Sequence, residues 1–77
     1  MNRIKTVIPM DDYRLQVYME NGEMVLLDFR DRLNTARFGI LADISFFRKA
    51  ATDGIVISWQ GKLELSITEV LQFGKDA

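Results

Sequence analysis

Alternation of apolar and polar side chains dominates the first third of the chain. Tyr13, Leu15, Val17 and Met19 alternate with Arg14, Gln16 and Tyr18, the two-residue period of a half-buried strand. A second apolar run, Glu23–Phe29, follows, and Asn21-Gly22 lies between the two. A type I′ turn needs positive φ at both central residues, which Asn and Gly reach at least cost, so a two-residue hairpin is predicted. That turn sets Met19 opposite Met24, Val17 opposite Leu26 and Leu15 opposite Asp28. One face then carries Leu15, Val17, Met19, Met24 and Leu26, a plausible core. The other carries Tyr18, Val25, Leu27 and Phe29.

The same logic applies at Asp53-Gly54, giving a hairpin from Arg48–Thr52 into Ile55–Trp59. Its register places Ala50, Thr52, Ile55, Ile57 and Trp59 on one face, with Arg48 beside Trp59. Upstream, Arg3–Ile8 reads as a strand ended by Pro9 and the Asp11-Asp12 turn. Arg30–Ala36 is polar and irregular. Phe38, Leu41 and Ala42 fit one helical turn, and Asp43 can cap another holding Ile44 and Phe47. Gln60-Gly61 turns the chain into a short Leu63–Leu65 strand. Ser66-Ile67-Thr68-Glu69 has capping-box spacing, Ile67, Val70 and Leu71 share a helical face, and Gly74 is a stop signal. The order predicts a single small α+β domain over residues 1–77. Its sheet is mostly antiparallel, built from two hairpins plus an N-terminal strand, with short central helical turns and a C-terminal helix.

Composition narrows the chemistry. The chain is 48% hydrophobic and 27% charged, too apolar for intrinsic disorder. With neither Cys nor His, zinc–thiolate sites, disulfides and histidine-based triads are excluded, and no cofactor or metal is expected. No apolar run approaches membrane-spanning length, so no membrane association is expected. The opening Met1-Asn2-Arg3-Ile4-Lys5 leads into no hydrophobic stretch, so a secretory signal is not expected and a cytoplasmic setting is. A net charge of −1 argues against direct, non-specific nucleic-acid binding and tolerates self-association.

Several residues then align with a known pattern: Leu15-x-Val17, Glu20-Asn21-Gly22-Glu23, Asp28, Phe38-x-x-Leu41-x-Asp43-x-x-x-Phe47, Ile57-Ser58-Trp59, Gly61 and Leu63-Glu64-Leu65-Ser66. In order and spacing this resembles the small bacterial proteins catalogued as domain of unknown function 2442, over nearly the whole chain. The resemblance implies a small α+β fold without established catalytic residues. It also implies, for some relatives, a C-terminal helix-turn-helix or a gene neighbourhood like that of toxin–antitoxin pairs. The sequence ends at Ala77, so the DNA-binding extension is expected to be missing. Relatives often carry an acid directly before the Leu of the strand after Trp59; here Lys62 stands there and the acid is Glu64.

Candidate sites each have a functional and a structural reading. Asp28, placed on the apolar face beside Leu15, could have a raised pKa as catalytic acids do, or could anchor the loop through a backbone amide or Arg30. Trp59 is a partner platform or the largest piece of core, its indole N–H on a carbonyl, with Arg48 stacked on it. Arg30, Arg32, Arg37 and Lys62 could grip phosphates, or form a mixed-charge surface with Asp28 and Asp31. Tyr18, Val25, Leu27 and Phe29 form an apolar cluster that the rest of the chain covers or a partner meets. The leading expectation is a non-enzymatic module that binds a protein partner or itself, antitoxin-like in its specific form. The competing readings are a nucleic-acid-associated regulatory or sensory domain, and a carboxylate enzyme using two of Asp28, Asp43 and Glu64.

Overall fold

The computed structural model describes residues 2–76. The elements run β1 (Ile4–Pro9), β2 (Arg14–Met19), β3 (Met24–Asp28), 3-10 turns at Arg30–Arg32 and Gly39–Ala42, α1 (Ile44–Phe47), β4 (Ala51–Thr52), β5 (Val56–Trp59), β6 (Leu63–Ser66) and α2 (Ile67–Asp76). The α+β expectation holds, but the strands form two antiparallel three-stranded sheets, β1-β2-β3 and β4-β5-β6. The two meet where the Ile4 amide donates to the Gly54 carbonyl at 2.8 Å.

The first hairpin is displaced by one residue from the predicted register. Val17 pairs with Val25, Leu15 with Leu27 and Arg14 with Asp28. Its loop has three residues, Glu20-Asn21-Gly22. The Gly22 amide donates to the Met19 carbonyl at 3.1 Å, and Gly22 alone of the three takes a positive φ, +92°. This is a type I-like turn closed by a left-handed glycine bulge, the common three-residue alternative to type I′. Asn21 stays out of the left-handed region because its Oδ1 accepts the Glu23 amide at 3.0 Å. Because side chains alternate with a period of two, a one-residue slip exchanges the faces of β3. Val25 and Leu27 therefore turn inward with Leu15 and Val17, and Met24 and Leu26 turn outward.

The second hairpin is displaced by two: Thr52 pairs with Ile57 and Ala51 with Ser58. An even slip preserves faces, so Ile57 and Trp59 remain inward as predicted, while Ile55 joins the loop and is exposed. The four-residue loop is held by Asp53 Oδ1, which accepts the amides of Ile55 and Val56 at 2.9 and 3.0 Å. Positive φ at two consecutive turn residues occurs instead at Gln60 (56°) and Gly61 (72°), where the Lys62 amide reaches the Trp59 carbonyl.

One core joins both sheets and the helices. Phe29, just past β3, lies 6.0 Å edge-on from Trp59 and 5.8 Å from Phe47, so the sheets meet through aromatic rings. Tyr13 carries a φ of 66°, costly for a bulky residue, and its ring packs edge-on against Phe47 at 5.5 Å while its hydroxyl donates to the Ala42 carbonyl. Asp43 caps α1 as predicted, accepting the Ser45 amide at 3.0 Å. The capping box of α2 also forms: the Glu69 amide donates to Ser66 Oγ at 3.2 Å and the Ser66 amide to Glu69 Oε1 at 3.3 Å. Gly74 does not stop the helix. It lies within α2, against Val25, where a Cβ would sit 2.5 Å from Val25 Cγ1.

Candidate functional site

The register decides where each candidate residue goes. Leu27 and Phe29 are each 1% exposed and belong to the core, and Val25 packs against it, so the predicted cluster with Tyr18 does not form a surface. Of those four only Tyr18 faces outward from the first sheet. Trp59 is fully buried and its Nε1 donates to the Phe47 carbonyl at 3.0 Å, the core reading of that residue. Arg48 does not stack on it; its Nε donates to Asp11 Oδ1 at 3.1 Å, pinning the β1–β2 turn.

Asp28 faces outward at the end of β3, opposite Arg14, rather than inward beside Leu15. Its Oδ1 accepts the Arg30 amide at 3.0 Å and its Oδ2 accepts Arg30 Nη2 at 2.6 Å. The Arg30 hydrogen bonds hold its pKa down at about 2, against the rise a buried acid would show. Asp43 is lowered as well, by the Ser45 hydroxyl and amide, and Glu69 by Arg37. Asp28, Asp43 and Glu64 sit on the first sheet, at the start of α1 and on the second sheet; Asp28 is bonded to Arg30 and Asp43 to Ser45, and of the three only Glu64 lines a depression among the described residues. Among the described residues no three acidic side chains gather as metal ligands would.

The arginines are committed internally. Arg14 pairs with Asp12, Arg30 with Asp28, Arg37 with Glu69 and Arg48 with Asp11. Arg37 also donates to the Glu64 carbonyl at 3.0 Å, and Arg32 lies 4.2 Å over the Phe73 ring. The phosphate-gripping set of Arg30, Arg32, Arg37 and Lys62 is thus a mixed-charge surface.

Exposed apolar side chains among the described residues include those on the outer face of β1-β2-β3. Register places Thr6, Ile8, Gln16, Tyr18, Met24 and Leu26 on it, with Arg14 and Asp28 at one end. Ile8 is 46% and Met24 47% exposed, and Tyr18 and Leu26 are half-buried. Tyr18 donates its hydroxyl to Gln16 Oε1 at 3.3 Å, so the ring lies along the strand instead of into the core. The paired backbones of the face span roughly 14 by 20 Å, about 300 Å² of footprint, from ordinary strand spacing and rise. Sequence reasoning missed Met24 and Leu26 because it assigned the wrong turn. The alternation Thr6, Ile8 on β1 and Gln16, Tyr18 on β2 was present in the sequence.

Two shallow depressions lie elsewhere. One, of ≈ 420 Å³, is lined by Arg3, Lys5, Glu20, Asp53 and the backbone at the seam of the sheets. The other, of ≈ 370 Å³, lies on the second sheet between Ala51, Val56, Ser58 and Glu64. Thr52 and Asp53 line both.

No family model matches the chain, and no curated protein matches it. Among solved structures it is similar to a crystal structure from Nitrosomonas europaea named "putative DNA binding protein", with a TM-score of 0.79 at 20% identity. The match covers 99% of this chain and 50% of that one, so the chain spans about half the length of that protein and shares with it a fold.

Proposed function

We propose that this domain is a non-catalytic protein-interaction module that presents the outer face of its first sheet to a partner. The observation that carries the reading is the face itself: Ile8, Tyr18, Met24 and Leu26 share it with Thr6 and Gln16, and Ile8 and Met24 are nearly half exposed. The largest apolar patch of a small protein is often its interaction site. Membership of the family catalogued as domain of unknown function 2442, and an antitoxin-like role toward a neighbouring gene product, are the specific form of this reading.

Copurification from the native host tests it, with wild-type bait beside an Ile8→Ser/Met24→Ser variant whose circular dichroism matches wild type. A partner retained by the first and lost by the second is expected. Identical recovery on both baits removes the reading.

A second reading is nucleic-acid association, favoured by the name of the structurally similar protein. Arg14, Arg30, Arg37 and Arg48 are paired with acids, while Arg3 and Lys5 line one depression together. A mobility shift at low salt that disappears by about 200 mM salt would support it.

A further inference from the structure

Edges of the two sheets are protected unequally. Natural sheets blunt their edges with proline, lysine, bulges, very short strands or covering groups. On β1 the register breaks between Ile4 and Thr6 around Lys5, Pro9 has no N–H, and the Ile4 amide is bonded to Gly54. On the second sheet β4 has two residues, and on β6 the Glu64 carbonyl is bonded by Arg37. β3 has no proline, lysine or bulge, and α2 packs on it at Val25 without hydrogen-bonding its outer backbone groups. Its sequence Met24-Val25-Leu26-Leu27-Asp28 is apolar up to Asp28 and free of proline, glycine and lysine.

Which backbone groups of β3 are free follows from the ladder. The Phe29 amide bonds to the Tyr13 carbonyl and the Met19 amide to the Glu23 carbonyl, so the odd-numbered residues of β3 exchange hydrogen bonds with β2. The N–H and C=O groups of Met24, Leu26 and Asp28 therefore point away from β2. Among the described residues none of them has a backbone or side-chain partner outside the strand ladder. A row of alternating donors and acceptors at β-strand spacing is complementary to one thing, another extended backbone.

We propose that a second copy of this chain supplies it, β3 pairing antiparallel with β3 of the other copy to make a continuous six-stranded sheet. The favoured register sets Leu26 against Leu26 and Met24 against Asp28, so all three outward residues pair. It places no like charges opposite one another, and Arg30 neutralises each Asp28. Shifting the centre to Asp28 would set two carboxylates face to face. Two bonds form at each of three residue pairs, a small interface, so the dimer is weak, with a Kd on the order of 100 µM. The product is functional in shape: the two outer faces become one surface of roughly 600 Å² footprint, nearer the ~800 Å² per partner of stable complexes. The pairing stands on edge backbone and not on the apolar face, so it and the partner-binding reading can fail separately.

Amide hydrogen exchange at about 10 µM and about 1 mM protein, with sedimentation equilibrium over the same range, tests the pairing. Val25 and Leu27 amides are expected to be protected at both concentrations. Met24, Leu26 and Asp28 amides are expected to slow by about fourfold at the higher one, as the monomer share falls from about 85% to about 20% for a Kd of about 100 µM. Leu26→Pro removes an outward N–H without touching the β2 ladder and should abolish the dimer, while Leu26→Ala, which keeps that N–H, should weaken it less than tenfold. Concentration-independent exchange at those three amides, or a dimer that survives in folded Leu26→Pro, overturns the proposal.

Discussion

Replacing Gly74 by Ala tests the first-sheet register through the helix that packs on it. The added Cβ would lie 2.5 Å from Val25 Cγ1, well inside the 3.5–4.0 Å of a relaxed carbon contact. Valine is β-branched and stiff about χ1, so its methyl cannot swing away cheaply. Overpacking of this kind costs about 1–3 kcal/mol, against a helix-propensity gain of at most about 1 kcal/mol near a frayed end. Gly74→Ala should therefore destabilise by about 1–2 kcal/mol. Val25→Ala alone loses two half-buried methyl groups, about 1 kcal/mol. In the double variant the new methyl occupies the space the valine vacates. Its cost should fall below the sum of the singles by about 1 kcal/mol or more.

Urea unfolding of the four proteins, with m-values compared, measures the cycle. Were Gly74 a left-handed cap and Val25 on the outer face, Gly74→Ala would cost about 1 kcal/mol whatever stood at 25. The two costs would then add to within about 0.5 kcal/mol, and that result would refute both the inward Val25 and the helical Gly74.

Two further outcomes follow from the core and from the end of β3. Trp59→Phe leaves the Phe47 carbonyl without its buried donor and opens space among the rings, so about 2–3 kcal/mol and roughly 10 °C or more of melting temperature should be lost. A drop of under about 1 kcal/mol would mean the indole bond matters little. Asp28 has a folded pKa lowered to about 2, so its stabilisation is complete above the unfolded value of 3.8 and disappears as pH falls through about 2. With Asp28 a third and Arg30 over half exposed, solvent screening leaves about 0.5–1 kcal/mol. Wild type should lose that much more stability than Asp28→Asn between pH 5 and pH 2. Parallel stability curves would dismiss the ion pair.

Features governed by neighbouring residues were legible in the sequence. Asp43 and Ser66/Glu69 cap their helices as read, since a cap depends on a side chain reaching an amide two or three residues away. Trp59 and Ile57 point inward as read because an even slip cannot change their face. Turn type was not legible, because it is settled by competition between nearly equal local options. Asn21 could take positive φ, yet its side chain gains more by accepting the Glu23 amide, and Gly22 alone absorbs the left-handed turn. Gln60 does take positive φ, although glutamine gives no such signal. Gly74 read as a stop, and only the proximity of Val25, far away in sequence, shows why a side chain is excluded there.

The small difference between a two-residue and a three-residue loop carries the functional argument. With the left-handed glycine in place, Leu27 and Phe29 fill the core, where Phe29 bridges to Trp59 and Phe47 and joins the two sheets. The alternative register would leave Phe29 outside and put Asp28 among the apolar side chains, stripping the core of its central ring and burying a charge. The core thus selects the loop, and the loop exports Met24 and Leu26. These two are also the residues whose backbone groups point off the free edge of β3, so face and edge coincide on the same side chains. Were two β3 edges to pair, the outer faces of the two copies would lie side by side.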